Sequence, residues 1–227
     1  MLPAPALPAL ALAALLASGP ALAQQPGFKF SQQDDSEQQE QQMRQERIAA
    51  QLSTPCKASL KDKKIMVLIG ERRSNGYIAA EQQNYGPLYD AINNRLRSLG
   101  LRTYTPEEIR RQIAQAEIDA YLRNDQDAML SASKRLGASF ALKGLISADA
   151  TRNPMMNVNQ VMVNMHFTLT GGGRIISEAD AHSASYAGAD VSRMALTLVN
   201  EQADDVVATL YSDYCRLAAP GPARKTN

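Results

Sequence analysis

A strand pair near the carboxyl end constrains this chain more than any other feature. Within Met156–Leu169, Val161, Val163, Met165, Phe167 and Leu169 alternate with Asn164, His166 and Thr168. Successive strand side chains point to opposite faces, so one face must lie on a core and the other must meet water. Thr170-Gly-Gly-Gly-Arg174 supplies a turn, and Ile175–Tyr186 returns. With the turn centred on Gly172, Phe167 faces Ser177, Met165 faces Ala179 and Val163 faces Ala181, so large residues meet small ones. The same register sets His166 opposite Glu178 and Asn164 opposite Asp180 on the polar face.

The remaining elements supply a sheet for this hairpin to join and helices to cover it. Lys64-Ile-Met-Val-Leu-Ile69 is a continuous apolar run, the pattern of a strand buried on both faces. A loop of about 16 residues follows. Pro87 then opens a helix carrying Leu88, Ile92, Leu96 and Leu99, and Gly100 stops it. Leu101–Tyr104 is a short strand. Thr105-Pro106-Glu107-Glu108 combines an N-cap, a proline at the first helical position and a glutamate able to close a capping box. Helical pattern continues to Leu136, with breaks near Asn124, and Gly137 ends it. Ser139–Ala150 is the next strand. After the hairpin, Asp190 caps a helix from Val191 to Tyr214 that carries Met194, Leu198, Val206, Leu210 and Tyr214 on one stripe. The order β-α-β-α-(α)-β-β-β-α predicts an α/β (α+β) fold: one mixed sheet with helices packed on it, anticodon-binding-domain-like, over residues 56–217.

The flanks differ in kind. Residues 1–23 hold an Ala/Leu-rich run, a Gly19-Pro20 break and Ala21-Leu22-Ala23, the signature of a secretory signal peptide cleaved after Ala23. No cysteine follows to take a lipid, so the expected product is a soluble periplasmic protein. Residues 24–55 form a glutamine-rich tether, partly helical or disordered, with too little apolar area to order alone. Its stripe of Met43, Arg47, Ile48 and Leu52 would order only against a partner, outside the core. Residues 218–227 read as a disordered tail.

Here the chain resembles the periplasmic α/β domain shared by the curli secretion protein CsgG, the peptidoglycan synthase activator LpoB and the N-terminal domain of TolB. The resemblance is carried by KIMVLIG, RLRSLGLRTYT, RLGASFALKGLISA with Gly144 at the family's glycine, and LTGGGRIISEADAHSASY. It covers about residues 60–214. It implies an envelope accessory or adaptor protein that binds other proteins. The lipidated cysteine of the lipoprotein members and the long membrane-spanning insertions of a secretion pore are both absent from this sequence.

Chemistry-bearing residues are few. In an exported chain, Cys56 and Cys215, flanking the folded region, read as a structural disulfide. A reactive thiol has no CxxC to support it, and unpaired or intermolecular thiols are the remaining alternative. His166 and His182 fall on one sheet face, too far apart in the expected register to share a metal, with Glu178 and Asp180 nearby. There is no G-x-S-x-G elbow, and no Walker or Rossmann spacing follows Ile69, so neither an enzyme nor a cofactor is expected. The loop after Ile69 nonetheless sits where α/β folds place ligands, and Arg72, Arg73, Asn75, Tyr77 and Tyr85 form a candidate partner-binding surface. With 24 basic and 23 acidic residues and a net charge of +1, nothing draws the chain to nucleic acid or an anionic membrane.

The expected function is thus a non-enzymatic periplasmic adaptor of an envelope machine (peptidoglycan synthesis, outer-membrane secretion or flagellar assembly). It would dock to an envelope protein or to copies of itself, without stable membrane insertion. The alternative is a binding domain for a small ligand or cell-wall fragment. The discriminating feature is a concave pocket: a flat, polar sheet face favours the first, and an apolar cleft beside Arg72 and Arg73 favours the second.

Overall fold

Ile65, Val67 and Ile69 alternate with Met66 and Leu68 along strand β1 (Lys64–Arg72), and all five are buried. A strand with no wet side needs cover on both faces. The computed structural model supplies it, describing residues 31–72, 78–80, 86–155, 157–188 and 190–218. The chain divides into two compact units, Met1–Gln39 and Glu40–Asn227. The described part of the first is the glutamine-rich opening of helix α1 (Ser31–Leu52).

After α1 come α2 (Lys57–Leu60), β1, β2 (Ile78–Ala80), α3 (Pro87–Ser98), β3 (Arg102–Thr103), α4 (Pro106–Gln112), α5 (Gln115–Leu122) and α6 (Gln126–Leu136). Strands β4 (Phe140–Asn153), β5 (Val158–Gly171) and β6 (Arg174–Ala187) and helix α7 (Val191–Ala218) complete the order. Among the described residues six strands form one mixed sheet along the path β2-β1-β4-β5-β6, with β3 also paired to β1. β1 runs parallel to β3 and β4, and the pairs β1–β2, β4–β5 and β5–β6 are antiparallel.

One sheet face is fully covered. Ile65, Val67, Ile69, Leu142, Ile146, Val163, Met165 and Phe167 pack there against Ile92 and Leu96 of α3 and Leu198, Val199, Val206 and Leu210 of α7. Gly144 is required on this face. A Cβ at that position would lie 2.3 Å from Phe167 Cε1 and 2.7 Å from Ile69 Cδ1, so the ring occupies the space a side chain would need. Arg95 of α3 locks the helix pair with two bonds to Asp204 of α7, at 2.6 and 3.0 Å.

The opposite face is covered only in part. Met66, Leu68, Ala141 and Leu145 pack under Ile109, Ile118, Leu122, Met129 and Leu136 of α4–α6. The predicted capping box is present at Thr105 and Glu108. Asp125 caps α6 by accepting from Ala128 N–H at 3.0 Å, and Gly137 ends that helix at φ 64°.

Four local expectations need correction. The hairpin pairs Phe167 with Ala179, Met165 with Ala181 and Val163 with Ser183, not with Ser177, Ala179 and Ala181. On the other face His166 lies opposite Asp180 and Asn164 opposite His182. The cause is a two-residue turn at Gly172-Gly173, both at positive φ, followed by an irregularity between Leu169 and Thr170. Beyond that irregularity the partners move by two positions, so every residue keeps its face and large still meets small. Second, part of the presumed loop after β1 is a strand, β2, pairing Gly70, Glu71 and Arg72 with Ala80, Ala79 and Ile78. Third, the helical stretch to Leu136 is three helices, because the chain is extended at Ile113 and turns through positive φ at Asn124. Fourth, the glutamine-rich stretch is not wholly outside the core. Leu52 packs at its edge, Arg47 bonds Asp205 at 2.5 Å, and Gln51 donates to Thr209 at 3.3 Å.

Candidate functional site

Where α4–α6 stop, the second sheet face lies open over β4, β5 and β6. The register lays three cross-strand rows across it: Lys143–Thr168–Glu178, Leu145–His166–Asp180 and Ser147–Asn164–His182. Each row takes one residue per strand, and same-face side chains at this spacing touch. Two clefts open on these rows and meet at His166. One, about 410 Å³, is bordered by Arg72, Ser147, Asn164, Asp180 and His182. The other, about 480 Å³, runs from Tyr121 and Asn124 in the α5–α6 region to Lys143, Thr168 and Glu178.

His166 organises the centre. Its Nδ1 lies 2.7 Å from Asp180 Oδ1, and its Nε2 lies 3.3 Å from Thr168 Oγ1. With Nδ1–H donating to the carboxylate, Nε2 accepts from the threonine hydroxyl. Carboxylate, imidazole and hydroxyl in that order are the groups of a nucleophilic triad, which the expected register did not bring together. Asp180 is 77% exposed and His166 41% exposed, so the pair sits in a solvent-like dielectric that weakens it. The arrangement fits a surface hydrogen-bond ladder. Among the described residues no three His, Cys, Asp or Glu side chains gather as a metal site.

Lys143 is the group that sequence reasoning overlooked. It lies on β4 in the middle of Phe140-Ala-Leu-Lys-Gly-Leu-Ile146 and is only 6% exposed. Its ammonium donates to Asn124 Oδ1 and stands 5.9 Å from the centre of the Tyr121 ring. Burial lowers its pKa from the ordinary lysine value. Glu178 partly restores it, and Arg72 lowers it further. Asn124 holds φ 74°, and asparagine tolerates this left-handed conformation. The Tyr121 hydroxyl is buried beside the Thr170 hydroxyl without well-formed hydrogen-bond geometry; burial raises its pKa above the usual tyrosine value, and the Thr170 hydroxyl offsets this in part. A lysine inside an apolar strand run was the available signal, since lysine is almost never fully buried without a partner.

The other expected site residues fall as follows. Arg72 ends β1 and borders the first cleft. Arg73, Asn75, Tyr77 and Tyr85 lie outside the described residues, as do the signal sequence and residues 219–227 of the expected tail, whose first residue, Ala218, instead ends α7. Cys56 and Cys215 are joined in a disulfide with Cα atoms 5.6 Å apart, tying the residue before α2 to α7. Beside it Tyr211 Oη donates to Thr54 O at 2.5 Å and accepts from Cys56 N–H at 3.3 Å. Among the described residues no helix is long and apolar enough to cross a membrane.

No family model and no curated protein matches the chain. Solved structures do. The LpoB C-terminal domain from Salmonella enterica is similar at 15% identity, with 57% of this chain and 93% of that one covered and a TM-score of 0.37. Lipoprotein GNA1162 from Neisseria meningitidis gives 12% identity, 63% and 99% coverage and a TM-score of 0.41. The PelC dodecamer from Paraburkholderia phytofirmans gives 17%, 66% and 88%, and 0.36. The LpoB-type domain expected from sequence is among these structures.

Proposed function

We propose that this chain is a non-enzymatic adaptor of the bacterial envelope, exported to the periplasm, that works by docking the open half of its sheet to another envelope protein. One observation supports the reading: beside Arg72 the open sheet face presents Ser147, Asn164, His166, Asp180 and His182 in register, with Leu145, Met165 and Ala181 between them. Polar side chains held in register on a sheet suit a partner surface of matching donors and acceptors. The Cys56–Cys215 disulfide fits an oxidising compartment.

The test places a photo-crosslinking residue at Asn164 or at His182, and at Glu201 on α7 as a control. Expected is crosslinking to a defined envelope protein, or to a second copy, from the sheet positions and not from Glu201. Crosslinks confined to Glu201, or none from any position, would contradict the reading.

A further inference from the structure

We propose that the cleft between the α5–α6 region and strands β4–β6 binds a small zwitterion, its carboxylate held by Lys143 and Tyr121 and its ammonium by Glu178. Two buried donors face this cleft with too few acceptors. Lys143 is bonded only to the neutral amide oxygen of Asn124, and among the described residues no carboxylate lies within ion-pair distance of it. The Tyr121 hydroxyl lies beside the Thr170 hydroxyl without a well-formed hydrogen bond. A buried cation without a counterion and a buried hydroxyl without a partner are each unfavourable, and folds retain them where something else completes them. A carboxylate has two oxygens and accepts from both donors at once.

The cleft also limits what else the ligand carries. Glu178 lies at the far end of the Lys143–Thr168–Glu178 row, on the strand bordering the cleft, where an ammonium group meets it. Arg174 stands at the rim, and Asp125 is already engaged with Ala128 N–H. At about 480 Å³ the space takes an amino acid or a short peptide and leaves room for water. Asn124, in its left-handed conformation, accepts from the lysine head, and both residues line the space. The pKa of Lys143, lowered by burial, returns towards its ordinary value when a carboxylate arrives, so binding is tightest where the free lysine is protonated and weakens as pH rises through its lowered pKa.

The experiment is calorimetric titration of the full chain with alanine and dialanine, beside dialanine methyl ester, which lacks the carboxylate, and N-acetyl-dialanine, which lacks the ammonium. Alanine against dialanine separates a free amino acid from a peptide as the source. Expected is binding of one or both zwitterions, with the ester and the acetylated peptide each weaker by about tenfold or more. Lys143→Met should lower affinity by about tenfold or more and Tyr121→Phe by a smaller factor. Both variants are checked by thermal unfolding, and Lys143→Met should melt no lower than the parent, because an apolar isostere replaces a buried charge. No heat from either zwitterion, equal binding of the ester, or unchanged affinity in a folded Lys143→Met would each overturn the proposal. Photo-crosslinking at Asn164 is indifferent to these outcomes, so the docking reading stands or falls separately.

Discussion

The two faces of the sheet are built from the same strands and do different things. Under α3 and α7, Phe167, Met165 and Val163 sit over Ala179, Ala181 and Ser183, and a ring fills the space above Gly144. Under α4–α6 the apolar cover stops short, and His166, Asp180 and His182 come to the surface in rows, with Lys143 buried beside them. The contrast separates residues that hold the chain together from residues free to meet something else. His166 and Phe167, adjacent in sequence, fall on opposite sides of that division.

The largest effect should come from the covered face. Phe167 is fully buried, and Phe167→Ala should lose about 3–5 kcal/mol in denaturant unfolding, through lost burial and the cavity left over Gly144. Replacing Cys56 and Cys215 together by serine tests the same side from its edge. The bridge spans 159 positions, and the pair of substitutions should cost about 2–5 kcal/mol, read as a lower urea midpoint.

Lys143→Met probes the open face and should act in the opposite direction, raising stability by about 1 kcal/mol. Its pH dependence has a definite sign. The folded pKa lies below the unfolded one, so the protonated lysine penalises folding at every pH below the folded value. That penalty fades as pH rises from the folded pKa towards the unfolded value, and the advantage of the variant should shrink over the same window. Parallel unfolding curves for parent and variant, measured upwards from neutral pH, check it. An advantage constant with pH would break the contrast between the faces.

Much of this division was legible in the sequence. Continuous apolar runs gave β1 and β4, alternation gave β5 and its faces, the glycine turn gave β6, and Thr105, Asp190, Gly100 and Gly137 marked helix ends because capping and positive φ are local requirements. The hairpin register was not legible. A two-residue glycine turn with an irregularity after Leu169 preserves every face, so face patterns alone cannot distinguish it from a centred turn. β2 was missed because its three residues are paired through their backbone to β1 and give no periodic signal of their own. The second cleft was missed for a different reason. Lys143, Tyr121 and Asn124 come from separate elements, and only the fold brings them together. His166 and Thr168 were placed on the right face and their contact lies within β5, yet the partner of His166 Nδ1, Asp180, is decided by the register.

The account rests on the open face carrying function and the covered face carrying stability. The most direct test is the triple variant Asn164→Ala, Asp180→Ala and His182→Ala, compared with the parent for both unfolding free energy and partner crosslinking, with the photo-crosslinking residue at His166 in both chains. The account predicts stability within about 1 kcal/mol of the parent, as exposed positions allow, together with loss of the crosslinked partner. Retained crosslinking, or a loss of stability as large as that of Phe167→Ala, would contradict it.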